Sequence, residues 1–236
     1  MPKLSIIIPT LNEDKNLPKL LKSLENNLEK DIEVIIADAN STDKTREVAE
    51  KFNCKVVQGG KIAYGRNNAG RHAKGDYLLF IDADTVLTHG FLDKLMEKIK
   101  KTETAGFALI PDSNKIGDKV LQTFFNFYNF VIQFFFPHAQ GAIIFSTKKM
   151  FLQLGGFDEK LKIAEDHDYV VRASKLGKFK WFYNPKAITS MRRYHQIGRI
   201  KILFLYIKCE AIRMFRGEIK NDIFHYQYDI YKEPKQ

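Results

Sequence analysis

What most constrains this chain is an alternation that runs through its first half. A short β-rich run is followed by a polar segment, and then by apolar residues at helical spacing. Leu4 to Pro9 reads as a strand covered on both faces, because consecutive isoleucines leave no polar side. Leu17, Leu20, Leu21, Leu24 and Leu28 then recur at helical intervals. Glu33 to Asp38 is a second β-branched run, and Ser41, Thr42 and Asp43 offer caps for a helix bearing Val48, Ala49 and Phe52. Lys55 to Val57 predicts a third strand, Ile62 to Ala73 a helix, Tyr77 to Ile81 a fourth buried strand, and Phe91 to Ile99 a further helix. This order predicts an α/β fold, with a mostly parallel sheet flanked by helices. Ligands of such sheets bind beyond the carboxyl ends of the strands. Polar residues cluster at three of those ends: Pro9 to Glu13, Asp38 to Asp43, and Asp82 to Thr85.

The second half is less regular. Residues 120–136 carry no charge, and Gln122, Asn126, Asn129 and Gln133 fall on one helical stripe of an otherwise apolar run. The run is short for a membrane span. Ala142 to Ser146 predicts a strand, Glu165 to Lys175 a helix, and Lys178 to Tyr183 another strand, with a break at Gly155-Gly156. Ile197 to Phe215 mixes apolar and basic residues. The parse is one domain over 1–236. Within it, 199–236 reads as a basic amphipathic helical tail.

Lys and Arg number 38 against 28 Asp and Glu. From Arg172 to Lys220 basic residues outnumber acids 13 to two, the acids being Glu210 and Glu218, so this window holds the whole surplus. An anionic partner is implied: a phosphorylated substrate, nucleic acid or lipid headgroups. Cys54 and Cys209 form neither a disulfide framework nor a metal motif, and the N-terminus lacks the features of a signal peptide. A reducing, cytoplasmic setting is the expectation.

Asp82 and Asp84 end a buried strand, and a spacing of two puts both on one side of an extended chain. Two like charges there call for a cation, and a divalent metal holding a diphosphate suits carboxylate oxygens. A turn or helix cap is the plainer explanation of the same pair. Asp38 could accept from a ring N–H of a base. Arg66 and Asn67 lie near a predicted helix start, where an anion could bind. Glu165-Asp166-His167-Asp168 is either an acidic helix N-terminus or the seat of a general base. Arg192 and Arg193 offer fork-like donors for phosphate.

Taken in order, these motifs resemble glycosyltransferase family 2, the inverting nucleotide-sugar transferases of GT-A (Rossmann-like) fold, from about Leu4 to Gly198. The resemblance rests on Ile8 to Glu13, Asp38 with Ser41 to Asp43, Gly65-Arg66-Asn67, Ala73 to Tyr77, Asp82-Ala83-Asp84, Gly155 to Glu159, and Glu165-Asp166. It implies a sheet with a helical C-terminal elaboration, in which 1–110 is the nucleotide-sugar-binding half and 111–198 the acceptor-side half. It implies that Pro9, Thr10, Glu13, Asp38, Arg66, Asn67, Asp82, Ala83, Asp84, Arg192 and Arg193 bind a UDP- or GDP-linked sugar. Asp84 would hold Mn²⁺ or Mg²⁺ with His195 as a further ligand, and Asp166, beside Glu165, would deprotonate the acceptor. An acceptor that is already a phosphate would need no base. Segments 120–136 and 199–216 allow two readings: a membrane-surface contact admitting a lipid-linked acceptor, or a core helix with a subunit contact. The rivals are a haloacid-dehalogenase-like phosphatase using Asp82-Ala83-Asp84-Thr85, a basic nucleic-acid-binding protein, and a degenerate transferase that only binds sugar nucleotides. No nucleic-acid partner is expected.

Overall fold

A computed structural model describes residues 3–25, 31–161, 163–216 and 219, the side chains of 214–216 excepted. Leu28, the side chain of Phe215 and most of the expected tail beyond Arg216 lie outside these residues. The first strands and helices alternate as β1 (Leu4–Thr10), α1 (Leu17–Glu25), β2 (Ile32–Asp38), α2 (Thr45–Lys51), β3 (Lys55–Gln58), α3 (Ile62–His72) and β4 (Tyr77–Ile81). After them come β5 (Thr85–Leu87), α4 (Phe91–Lys98), β6 (Thr104–Pro111), α5 (Ile116–Ile132), β7 (Ile143–Thr147) and α6 (Lys148–Leu154). The chain continues through α7 (Glu165–Leu176), β8 (Phe179–Thr189), α8 (Arg192–Ile197) and α9 (Arg199–Arg216).

The strands form one sheet in the order β3-β2-β1-β4-β7-β6-β8-β5. Its first four strands are parallel, as the alternation predicts. Beyond them β7 runs antiparallel to both neighbours, and β5 antiparallel to β8. The consecutive isoleucines of β1 divide between the faces. Ile6 and Ile8 pack with Leu17, Leu20 and Leu24 of α1, while Ile7 packs with Ala63 and Ala69 of α3. Each such buried aliphatic side chain contributes about 1.5–3 kcal/mol.

Two parts of the second half go beyond what the sequence predicts. Strand β6 was not foreseen, yet it joins β7 to β8 within the sheet. Helix α5 does carry its amides on one stripe, but that stripe points inward. Gln122, Asn126 and Asn129 are buried, whereas Phe124 and Phe127 are 52 % and 60 % exposed and the following Phe134 and Phe135 are 73 % and 82 % exposed. The cause is the backbone beneath. Asn126 accepts from the Leu109 N–H at 3.0 Å and donates to its carbonyl at 2.8 Å, so one amide satisfies both groups of a β6 residue. Gln133 likewise accepts from the Trp181 N–H of β8 at 2.8 Å. A buried peptide group left unpaired costs more than an exposed phenyl ring.

Candidate functional site

The site lies where the strands end. Thr10 of β1 pairs in register with Asp38 of β2, and β4 stops at Ile81 between β1 and β7. The residues after β4 are not extended. The Thr85 N–H donates to the Asp82 carbonyl at 3.0 Å, so Asp82-Ala83-Asp84 is a turn. The alternation argument for a shared side therefore fails, although Asp82 and Asp84 still meet in one cavity of about 260 Å³.

Short strand β5 explains how the basic segment arrives there. Thr85 pairs with Thr189 at the end of β8, and the Ser190 N–H donates to the Asp84 carbonyl at 3.2 Å. This register delivers Arg192, whose Nη2 lies 3.2 Å from Asp84 Oδ2 and 2.9 Å from Glu13 Oε1. Burial, with repulsion from Asp82 and Glu13, pushes the Asp84 carboxyl up to about 6 despite Arg192. An oxygen donor set with this excess of negative charge fits a divalent cation.

On the other side of the turn, Arg66 is buried in the middle of α3 rather than near its start. Its Nη2 donates to Asp82 Oδ1 at 2.8 Å and to the Gly141 carbonyl at 2.9 Å, and its Nη1 to Glu165 Oε1 at 3.2 Å. Burial opposes the guanidinium charge, but Asp82, Glu165 and Asp166 outweigh it and hold its pKa above the ordinary value. Arg66 thus braces the acids that line the cavity. Burial and the neighbouring Asp166 raise the Glu165 carboxyl, against Arg66.

Glu165 and Asp166 begin α7, directly after Ala164, which adopts a left-handed φ of 61°. Strain of this kind in a non-glycine residue costs about 1 kcal/mol or more and is concentrated at functional sites. Asp166 lies over Gly141, where an added Cβ would sit 2.6 Å from its Oδ2. The residue before Ala142 must therefore lack a side chain if Asp166 is to hold this position.

The structure divides the expected site residues. Arg66, Asp82, Asp84, Glu165, Asp166, Arg192 and Arg193 line the cavity. Pro9, Thr10 and Asp38 sit at the ends of β1 and β2, outside the cavity lining, whereas Glu13 just beyond β1 meets the cavity residue Arg192. Ala83 is buried within the turn. Asp38 already accepts from Arg46 Nε at 2.6 Å and from Ser41 Oγ at 2.5 Å. Asn67 faces elsewhere. It pairs with both backbone groups of Phe157, at 2.7 and 2.8 Å, and so pins the Gly155-Gly156 turn. His195 is committed to buried Asp118, 2.8 Å away, beside Arg199. Sequence reasoning missed Gly141, His138 and Tyr128 as cavity residues, and gave His167 and Glu210 no role. Glu210 did leave a signal, as one of two acids in a strongly basic window.

A mixed, partly parallel sheet whose strand ends gather acids and arginines around one cavity places that cavity where α/β proteins of this kind bind their ligands. The profile of Glycosyl transferase family 2 matches residues 5–153, and the chain belongs to that family. It is 36 % identical over 107 residues to the GalNAc(5)-diNAcBac-PP-undecaprenol beta-1,3-glucosyltransferase of Campylobacter jejuni, covering 42 % of this chain and 35 % of that protein. Its fold is that of the GT-A glycosyltransferases. Mannosyltransferase PcManGT from Pyrobaculum calidifontis, in complex with GDP-Man and Mn²⁺, superposes with a TM-score of 0.72 at 20 % identity, over 90 % of this chain and 64 % of that one. Staphylococcus aureus TarS 1–349 in complex with UDP superposes with a TM-score of 0.64 at 21 % identity, over 80 % of this chain and 60 % of that one. The chain thus spans between about a third and two thirds of the length of these proteins. Family membership sets aside the phosphatase and nucleic-acid-binding alternatives.

Proposed function

We propose that this protein is an inverting glycosyltransferase. It moves a sugar from a UDP- or GDP-linked donor to an acceptor hydroxyl presented on a lipid or another apolar carrier. One observation carries this reading. A carboxylate suited to act as base, Asp166, shares a cavity with Asp82, Asp84 and Arg192, and apolar side chains of Phe125, Ile163 and Tyr206 line the same space.

Asp166 takes the proton of the acceptor hydroxyl, beside Glu165. The freed oxygen attacks the anomeric carbon from the face opposite the diphosphate. The carbon–oxygen bond to the diphosphate breaks, and its electron pair leaves with that group. Arg192 and Arg193 meet the charge that develops there. Asp84, with Asp82 beside it, is the residue that would hold Mn²⁺ or Mg²⁺, and such an ion neutralises charge on a diphosphate. His195 is left out of the ligand set because Asp118 occupies it. Pro9, Thr10, Glu13 and Asp38 hold the nucleoside. Asp38 reads the base by exchanging a donor it now receives from Arg46 or Ser41.

The exposed phenyl face of α5, together with Ile200, Phe204 and Ile207 of α9, forms the surface for an anionic membrane. Arg199, Lys201 and Lys208 on α9 supply the complementary charge. Among the described residues no helix is long and apolar enough to cross a membrane.

The test is thermal melting with UDP or GDP, in Mn²⁺ and in EDTA. A ligand bound to the native state raises the melting point. A rise with one nucleotide that needs the metal and is lost in Asp84→Ala supports the reading. No rise with either nucleotide defeats it. Flotation with anionic vesicles, abolished in Phe124→Ser/Phe127→Ser, supports the surface contact; a protein that stays wholly in solution with those vesicles removes it.

A further inference from the structure

One wall of the cavity holds a cluster that the mechanism above does not use. His138 precedes β7, His167 follows Asp166 on α7, and Glu210 comes from α9. Glu210 Oε2 lies 2.6 Å from His138 Nε2, and its Oε1 lies 3.1 Å from His167 Nδ1 and 3.0 Å from Arg213 Nη1. The other nitrogen of His138 is 2.6 Å from the Phe136 carbonyl, so that ring is a strut between two acceptors. The His138 and His167 rings meet edge to face at 4.6 Å, and Tyr128 of α5 packs on His138. The remaining nitrogen of His167, Nε2, lies 3.9 Å from Asp166 Oδ2. The imidazole of His167 therefore stands between two carboxylates, one on its own helix and one on α9.

Three such donors could in principle hold a metal ion. The spacing argues against it. Two ligands of a tetrahedral zinc, each about 2.1 Å from the metal, stand roughly 3.4 Å apart. His138 Nε2 and Glu210 Oε2 are at hydrogen-bond distance instead, and Arg213 already neutralises the carboxylate. Protons, not a metal, fit this cluster.

We propose that His167, seated on Glu210, is a positioning residue for the base. As an imidazolium between the two carboxylates, it holds the Asp166 carboxylate in place in the cavity. A partly buried carboxylate beside a second acid, Glu165, is favoured by such a counter-charge. The charged and titratable groups facing His167 are Asp166 from α7, Glu210 and Arg213 from α9, and His138 from the loop. Burial alone would lower the His167 pKa. Asp166 and Glu210 reverse that against Arg213, and the net direction is upward. The proposal rests on Asp166 being the base.

Two measurements test it. The first follows the His167 ring by NMR pH titration of the ¹⁵N-labelled full chain. His167 should hold both ring protons to a pH above the ordinary histidine midpoint of about 6.5. Asp166→Asn and Glu210→Gln should each lower that midpoint. The second follows hydrolysis of UDP- and GDP-sugars, with water as acceptor. His167→Gln should lose about tenfold or more of the rate, part of the ~10²–10⁴ that a positioned base contributes, with the donor KM unchanged. The wild-type rate should fall at alkaline pH as His167 loses its proton, and the variant should lack that limb. Should His167→Gln fail to fold, Glu210→Gln carries the same prediction.

A His167 midpoint that does not move in Asp166→Asn overturns the proposal, as does a His167→Gln profile matching wild type. Stoichiometric Zn²⁺ uptake abolished by His138→Gln overturns it too, in favour of a metal site. An Asp166→Asn variant with full activity defeats the base assignment itself, a result that the titration distinguishes.

Discussion

The two halves of this sheet solve the same problem in opposite ways. Around β1 to β4, parallel strands satisfy one another's backbone, and apolar side chains fill both faces. Around β6 and β8 the strands part: their pairing shifts register between Phe107 and Leu109, and amide side chains from α5 take up the backbone groups left over. The price of that second solution is a helix with its phenyl rings outside. The regular half presents Glu13, Asp82 and Asp84 with Arg66, and the β5–β8 edge of the irregular half brings Arg192 to them. The irregular half presents Asp166, the base of the proposed reaction, with an apolar cavity wall and an apolar outer face. Under the proposed function, one strongly polar and one apolar substrate would use both.

The sharpest way to break this division is to disable each half separately. Asp166→Asn should lower transfer by about 10²–10⁴ while leaving the nucleotide-induced melting shift intact. Asp84→Ala should abolish that shift. If Asp166→Asn also loses nucleotide binding, the division into a donor side and an acceptor side is wrong. Gly141→Ala probes the same boundary, because its Cβ would fall 2.6 Å from Asp166 Oδ2. It should lower transfer by at least tenfold, on the scale at which ~1 Å misplacements act, and spare nucleotide binding. The assays are donor turnover and melting with UDP or GDP.

The division also decided what could be read in advance. Strands β1 to β4 were legible because buried parallel strands are written as continuous apolar runs, and because their carboxyl ends carry the polar clusters. The amide stripe of α5 was legible as a stripe, but periodicity has no sign. Nothing local to residues 120–136 says whether amides or rings face inward, since that depends on unpaired groups of β6 and β8. Asp84 and Asp166 could be singled out from motifs. Their arrangement could not, because the turn at Asp82-Ala83-Asp84 and the β5–β8 pairing that delivers Arg192 are tertiary facts. The His138–Glu210 contact joins residues 72 positions apart and had no local signature beyond an acid in a basic helix.

Within α5, the inverted packing makes a prediction opposite to the usual ranking of residue types. Asn126→Leu replaces an amide by an apolar side chain of similar size in a buried position. It should nevertheless destabilise the fold by about 2–4 kcal/mol, because both peptide groups of Leu109 lose their partner. Phe127→Ser, on the exposed face, should change stability by no more than about 0.5 kcal/mol. Urea unfolding of the two variants measures both. Equal effects would mean that the amides are not what anchors α5 to β6.

The smallest expected effect concerns the cost of assembling the regular half's acids. The Asp84 carboxyl is raised from an ordinary 3.8 to about 6 in the fold. A carboxylate raised in this way costs stability once it is ionised. That cost is absent below the unfolded value, grows as the pH rises between the two values, and is complete above the folded one. Asp84→Asn should therefore stabilise the metal-free protein at pH 7 by about 1–2 kcal/mol, and should have almost no such effect at pH 3.5, where the acid is neutral in the fold and mostly neutral in the unfolded chain. Urea melts in EDTA at the two pH values give the comparison. A gain at pH 7 in the variant that has lost nucleotide binding would mark Asp84 as placed for charge it does not itself possess. Equal stability of variant and parent at pH 7 would mean that Arg192 alone balances the cluster, leaving no excess of negative charge for a cation to meet.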